Sequence, residues 1–404
     1  ASPADALSQR SAGVSTGRVL TGVDVLAARK FAALADKRVG LITNHTGLDA
    51  VGRRTIDLLA RAPGVKLRAV FSPEHGLSGK ADWKVASGRD ASTNLPVYSL
   101  YGETRRPKPE MLQGLDAMVF DVQDAGARFY TYMSTMAYAM EAAAQKGIEF
   151  VVLDRPNPIS ASRVEGPVMD SDLRSFTGYF PLPVRHGMTL GELARMFNGE
   201  NRMGVRLKVI PMQGYRRDMW FDETGLAWVN PSPNLRSLDQ AVLYPGVALS
   251  EASNVSVGRG TDTPFELLGA PWVRADELVQ HLRGRRIPGV EFEPAAFTPD
   301  SSVFAGQPCY GIRMVLKDRG SLNAVGLGVE ILCALHRLYP GVFQLEPALA
   351  RRRVDQRGER RFLAQVVRLR GRLGECAQQR GQRAREQFGP AIVVAAAVRV
   401  HPRR

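Results

Sequence analysis

The chain has 404 residues, 44% of them hydrophobic and 23% charged. At roughly 100–200 residues per domain this predicts two or three domains with real cores, which excludes a disordered chain and a disulfide scaffold. No run approaches the roughly 18 consecutive apolar residues that a membrane-spanning helix needs, and the formal charge of +14 is concentrated at one end: residues 351–404 hold 15 Arg, no Lys and 4 acidic residues, against 39 basic and 36 acidic in the rest.

The body is therefore nearly balanced in charge, and no nucleic-acid partner is expected. The tail reads as a solvated basic C-terminus, with an anionic polymer as the alternative partner. The small and polar start, Ala1-Ser2-Pro3-Ala4-Asp5-Ala6, resembles the stub left when a signal peptide is removed, which predicts a periplasmic or secreted protein. Residues 1–17 read as a flexible lead-in.

Strand and helix patterns then alternate. Arg38–Thr43 reads as a buried strand ending at Asn44-His45-Thr46-Gly47, followed by a helix around Thr55–Ala62. Leu67–Phe71 is a second strand, ending at Ser72-Pro73-Glu74-His75-Gly76, and Pro96–Tyr101 a third. Ala117–Val122 is a fourth, ending at Gln123-Asp124-Ala125-Gly126. Tyr132–Lys146 reads as a helix stopped by Gly147. Phe150–Leu153 is a fifth strand, ending at Asp154-Arg155-Pro156-Asn157-Pro158. Such alternation predicts a Rossmann-like α/β domain, a parallel sheet with helices on both faces, over 18–205. In such sheets ligands bind beyond the carboxyl ends of the strands, where all these polar clusters lie.

A helix over Met188–Asn198 is expected to close that domain. A smaller α/β or α+β domain follows over 206–345, with a strand at Arg206–Pro211, a long irregular stretch from Trp220 to Trp272, and helices at Ala275–Leu282 and Val329–Leu338. Residues 346–404 form the Arg/Gln-rich tail, where the pattern degrades. The three cysteines lack metal-ligand spacing, and an odd number cannot close a disulfide framework. A Cys309–Cys333 bridge is left open.

The chain has no G-x-G-x-x-G after the first strand, no Walker A sequence and no G-x-S-x-G elbow, so no nucleotide or other cofactor is expected. Three of the six histidines, His45, His75 and His186, lie in strand-end or turn clusters. No H-x-H or H-x-x-x-H pair supports a metal. The sharper signal is carboxylates on turns. Glu74 lies between Pro73 and His75-Gly76, and Glu165 in the rigid Val164-Glu165-Gly166-Pro167. Glycoside hydrolysis needs one carboxylic acid to protonate the leaving oxygen, and a second carboxylate to attack or to activate water. Flat apolar faces and planar hydrogen-bonders suited to sugars occur in Arg128-Phe129-Tyr130-Thr131-Tyr132 and in Asn230-Pro231-Ser232-Pro233-Asn234.

Several of these segments together resemble the exo-β-N-acetylmuramidase (NamZ) family. They are Ser72–Gly76, Asp121–Tyr132, Leu153–Pro158, Glu165-Gly166-Pro167, His186–Leu193, Pro231–Asn234, Tyr244-Pro245-Gly246 and Asn254–Glu266. The resemblance runs from about Gly22 to about Gln344. It implies an active site in the cleft between the two domains, and removal of N-acetylmuramic acid from the non-reducing end of peptidoglycan fragments. It places Glu74 as the catalytic acid and Glu165 as the second carboxylate, with Asp154 as its rival. Asn44, His75, Arg128, Tyr130, Asn157, His186, Asn254 and Arg259 would line the pocket. Muramic acid carries a lactyl carboxylate, and Arg128 or Arg259 is the expected reader of it. A muropeptide-binding protein without catalysis and a metal-dependent amino-sugar hydrolase or deacetylase are the alternatives.

Overall fold

The computed structural model describes residues 18–81 and 85–345, so the lead-in and the basic tail lie outside the described residues. Six parallel strands form one sheet: β1 (Arg38–Thr43), β2 (Lys66–Ser72), β4 (Pro96–Ser99), β5 (Ala117–Asp121), β6 (Glu149–Leu153) and β7 (Arg206–Ile210), with the short β3 (Gly88–Arg89) antiparallel at one edge. The spatial order β3-β4-β2-β1-β5-β6-β7 places β1 and β5 at the centre. Successive side chains of a strand point to opposite faces. Ile42, Phe71, Met118 and Phe120 accordingly face α3 (Tyr132–Lys146) and α4 (Leu190–Glu200). Val39, Leu41, Val70, Val119 and Val151 face α1 (Gly22–Ala28) and α2 (Thr55–Arg61).

The sequence places Arg206–Pro211 in the second domain. In the structure β7 pairs in parallel with β6 from Glu149↔Arg206 to Leu153↔Ile210. The first sheet therefore extends one strand beyond residue 205.

The second unit is a three-stranded antiparallel sheet, β8 (Leu267–Ala270), β10 (Cys309–Leu316) and β9 (Val290–Phe297) in that spatial order. It is packed by α6 (Ala275–Gly284) and α7 (Ala324–Leu338). No disulfide joins Cys309 and Cys333, which closes the question of a bridge between them.

The stretch read as irregular contains α5 (Leu238–Val247), capped by Ser237, whose side chain accepts from the Gln240 N–H. The sequence hides it for two reasons. It is buried on all sides from Gln240 onward, so no polar face marks a helical period, and it contains Pro245 and Gly246. Both features follow from its position between the two units. A Cβ on Gly246 would stand 1.7 Å from the Ala324 carbonyl oxygen, and one on Gly328 2.1 Å from the Gly246 carbonyl oxygen. α5 and α7 thus meet backbone to backbone. Overpacking a tight site costs about 1–3 kcal/mol or more. Gly328→Ala is expected to lower the unfolding free energy by about that amount, read as a lower urea midpoint at unchanged m, whereas Gly284→Ala, which meets open space, is expected to be neutral or slightly stabilising.

Candidate active site

The parallel strands deliver their following loops to one edge of the sheet. Glu74 follows β2 on a turn in which His75 and Gly76 are both left-handed, at φ +67° and +71°. That conformation folds the chain sharply back, and the His75 Nδ1 is bound to the Ala81 carbonyl at 2.7 Å. Glu74 is half-buried. Its Oε2 accepts a hydrogen bond from the Thr131 hydroxyl, at the start of α3.

Asn44, after β1, joins three elements. Its Oδ1 accepts from the Thr46 N–H at 2.9 Å and the Thr46 hydroxyl at 2.6 Å, and its Nδ2 donates to the Tyr132 hydroxyl at 3.0 Å. That hydroxyl donates in turn to the Pro231 carbonyl at 2.9 Å. The neighbouring His45 ring meets the Asn230 carbonyl at 2.7 Å, and burial pulls its pKa down. The 230–234 turn is thereby fastened over the carboxyl edge of the sheet.

Asp124, in the loop after β5, is buried. Its Oδ2 accepts from the Gly126 N–H at 2.9 Å and faces His186 Nε2 at 3.1 Å. The Met188 N–H donates to His186 Nδ1 at 3.2 Å, which places the ring proton on Nε2 and makes Asp124 the acceptor. Asp124 Oδ1 is buried and has no partner.

Three tyrosines pack together beside these loops. The Tyr130 ring lies edge-on to Tyr132 at 4.8 Å and to Tyr244 at 6.2 Å. Burial raises the pKa of all three phenols, and Asp124 adds to this at each of them. The charge of Glu74 acts in the same sense on Tyr132, and at Tyr244 Glu251 raises the pKa most among the charges, Arg259 opposes it and Glu74 adds to the rise. Glu74 and Asp124, from two strand ends, are thus near enough for their charges to be felt at Tyr132 and Tyr244, and Arg259 of the second unit at Tyr244. Arg259 lies over the Phe265 ring at 5.1 Å and is paired with Glu251 through Nε.

Of the residues expected from sequence, Glu74, Asn44, His75, Tyr130, His186 and Arg259 come to this cluster. The others are committed to the protein itself. Both oxygens of Glu165 are taken, Oε1 by Arg185 at 2.5 Å in a buried ion pair and Oε2 by the Val325 N–H of α7 at 3.2 Å. Glu165 thus joins the two units. Arg128 is 1% exposed and donates to the carbonyls of Pro167 and Leu182, and burial lowers its pKa to about 10. Asp154 accepts from the Thr189 hydroxyl at 2.9 Å and the Gly191 N–H at 2.8 Å, holding the N-terminus of α4. Asn157 donates to the Met188 carbonyl at 3.0 Å and accepts from the Ile159 N–H at 3.1 Å. Asn254 brackets Val342 and Gln344, each at 2.8 Å.

The residue that the sequence reading did not assign to the site is Asp124. It carries the same signal as the others, an acid just past a buried strand. What distinguishes it from Asp121 and Asp154 is an unpartnered oxygen, which only the folded arrangement reveals. A separate surface recess of about 660 Å³ lies along the far half of α3, lined by Arg106, Tyr138, Glu141, Tyr179 and Asn201 among others. The polar groups there close on one another, with Arg106 on Glu141, Tyr179 on Glu141 and Asn201 on Tyr179.

Carboxylates and tyrosines gathered at the carboxyl edge of the sheet suit glycoside chemistry, and the chain's relatives place it among the glycosidases. The chain belongs to the exo-β-N-acetylmuramidase NamZ family. The family's N-terminal model matches residues 39–239 and its C-terminal model residues 242–384. The C-terminal match continues past Gln344, where the sequence reading ended the resemblance. The peptidoglycan β-N-acetylmuramidase NamZ of Bacillus subtilis (strain 168) is 45% identical over 329 residues, covering 81% of this chain and 80% of that protein. Two crystal structures of DUF1343 family proteins from Bacteroides fragilis are similar. One has a TM-score of 0.76 at 41% identity, covering 80% of this chain and 84% of that one. The other has a TM-score of 0.64 at 30% identity, covering 81% and 85%.

Asp154 gives this edge a pH dependence. Burial raises its pKa from an ordinary value near 4 to about 6, against the opposing hydrogen bonds from Gly191 and Thr189. A carboxyl whose folded pKa is raised contributes stability below its unfolded pKa, and that contribution is lost as pH rises through the folded value. Between about pH 4 and pH 6 Asp154 is expected to lower the unfolding free energy as pH increases. Urea titrations across that window should show a flatter slope for Asp154→Asn than for wild type.

Proposed function

We propose that this glycosidase is an exo-acting β-N-acetylmuramidase, releasing N-acetylmuramic acid from the non-reducing end of peptidoglycan fragments outside the cytoplasm. The observation that carries the reading is the placement of Glu74. It is half-buried on a turn that holds Pro73 and left-handed His75-Gly76, and is oriented by the Thr131 hydroxyl beside Tyr132. Such a carboxyl is fixed in position yet reachable, as a general acid must be to protonate a leaving glycosidic oxygen. The likeness to the B. subtilis peptidoglycan β-N-acetylmuramidase supports the substrate class.

Release of muramic acid from a chromogenic β-muramide tests this, with the matching β-glucosaminide as control. Wild type should cleave only the muramide. Glu74→Gln should lose about 10²- to 10⁴-fold in kcat, the usual worth of a positioned general acid. Cleavage of neither substrate by wild type, or an unimpaired Glu74→Gln, would sink the proposal.

Arg259 is the guanidinium suited to the lactyl carboxylate. It already holds a carboxylate, that of Glu251, and lies over the Phe265 ring, which packs against Tyr244. Binding would exchange or share that partner. A charged hydrogen bond is worth about 1.5–3 kcal/mol, so Arg259→Ala is expected to lower kcat/KM for the muramide by roughly 10- to 150-fold. Arg128→Ala should instead act on stability, since its guanidinium donates to backbone carbonyls inside the fold.

A further inference from the structure

We propose that Asp124, held by His186, is the carboxylate that receives the 2-acetamido N–H of the substrate, so that the acetamido oxygen, and not a protein carboxylate, attacks the anomeric carbon. The proposal rests on the muramidase reading and assigns the second catalytic role at the same site.

Three observations lead to it. The first is the commitment of the other acids. Glu165 is bound by Arg185 and the Val325 N–H, Asp154 by the start of α4, and Asp121 by Arg155. None of these can approach a sugar without breaking a buried pair or a helix cap. The second is the asymmetry of Asp124. Its Oδ2 takes two donors, Gly126 N–H and His186 Nε2–H, while Oδ1 is buried and has none. A carboxylate oxygen only accepts, and leaving one buried and unpaired costs free energy that a ligand donor would recover. The third is placement. Glu74 is bound to the hydroxyl of Thr131, the chain neighbour of Tyr132, and the charges of both Glu74 and Asp124 are felt at Tyr132 and Tyr244. A sugar whose glycosidic oxygen meets Glu74 presents its C2 substituent next to C1. In an N-acetylated sugar that substituent offers an amide N–H.

The orientation of Asp124 is fixed from behind. The Met188 N–H holds His186 Nδ1 at 3.2 Å, so the ring cannot turn without losing both of its contacts. The His186 backbone N–H is bound to the Gly126 carbonyl at 3.4 Å, in the same loop as Asp124. His186 is therefore a positioning residue, and Asp124 the one that touches substrate.

Glu74 gives its proton to the leaving oxygen as the C1–O bond breaks. The acetamido carbonyl oxygen forms a bond to C1 on the opposite face. The amide proton passes to Asp124, leaving a neutral oxazoline. Water then adds at C1, giving its proton to the Glu74 carboxylate, while the C1–oxazoline oxygen bond breaks and Asp124 returns its proton to nitrogen. Two inversions leave the β-anomer as first product.

The first measurement uses wild type alone and carries no folding risk. A series of chromogenic β-muramides with acetamido, difluoroacetamido and trifluoroacetamido groups should lose rate steeply as the carbonyl becomes less nucleophilic. The second is kinetics of Asp124→Asn with the acetamido substrate. We expect kcat to fall by about 10²- to 10³-fold, the cost of removing one preorganised electrostatic partner of the transition state, with a smaller rise in KM from the acetamido N–H already bound in the ground state. His186→Gln, which can still donate to Asp124, should retain more activity than His186→Ala. A rate indifferent to fluorination overturns the proposal. So does a folded Asp124→Asn whose kcat stays within about threefold of wild type. Wild type that releases no muramic acid at all would instead remove the muramidase reading, and this proposal with it.

Discussion

The carboxyl edge of the sheet depends on one buried ion pair. Asp121 ends β5 and is fully buried, and Arg155 follows β6 by two residues. Their contacts are bidentate, at 2.6 and 3.0 Å. The same guanidinium reaches the Leu48 carbonyl at 2.7 Å, and the Thr55 hydroxyl at the start of α2 donates to Asp121. Four elements are thus tied at one point: the loop after β1, helix α2, and the ends of β5 and β6. An apolar pair of the same volume can be as stable, so the pair is not evidence of net stabilisation. Removing one partner alone leaves a buried charge and costs about 3–5 kcal/mol. What the pair supplies is fixed geometry. Asn44 and Asp124 leave this edge on loops whose roots cannot shift independently, which is the preorganisation that electrostatic catalysis requires.

The second unit completes the site through the helix that the sequence conceals. α5 contributes Tyr244, whose ring contacts Phe129 at 5.1 Å from the first unit and Phe265 at 4.8 Å from the second. The glycine contact with α7 sets how deeply α5 sits. Glu165 reinforces the same junction by accepting from the first turn of α7 while paired with Arg185. The cleft floor is therefore shared, and it exists only when both units are folded against each other.

The legible part of the molecule is what local pattern determines. Alternating strands and helices gave the parallel sheet and the strand-end loops, so Asn44, Glu74, His75 and His186 could be found at one edge. Hydrophobic period failed at α5 because a helix buried on every side has none to show. It also could not divide the chain after residue 205, because β7 pairs with β6 by a register that no local signal encodes. The site residues that went elsewhere share one property. Arg128, Asp154, Glu165 and Asn254 are the residue types that bind substrates, and they are equally the types that satisfy buried backbone groups. Which task a given residue has depends on what fills its hydrogen-bonding capacity, and that is a property of tertiary structure.

The same counting divides labour among the acids of this region. Asp121 is neutralised by Arg155, Glu165 by Arg185, and Asp154 by a helix N-terminus that still leaves its pKa raised by burial. These three build the edge. Glu74 keeps access to solvent and is oriented by one hydroxyl, so a proton can arrive and leave. Asp124 is the intermediate case, buried and oriented by a histidine, with one oxygen unfilled. A carboxylate with every lone pair taken by protein holds structure, and one fully hydrated has little to gain from a substrate. The proposed mechanism gives catalytic use to the two in between, because their incomplete satisfaction is what a bound sugar would relieve.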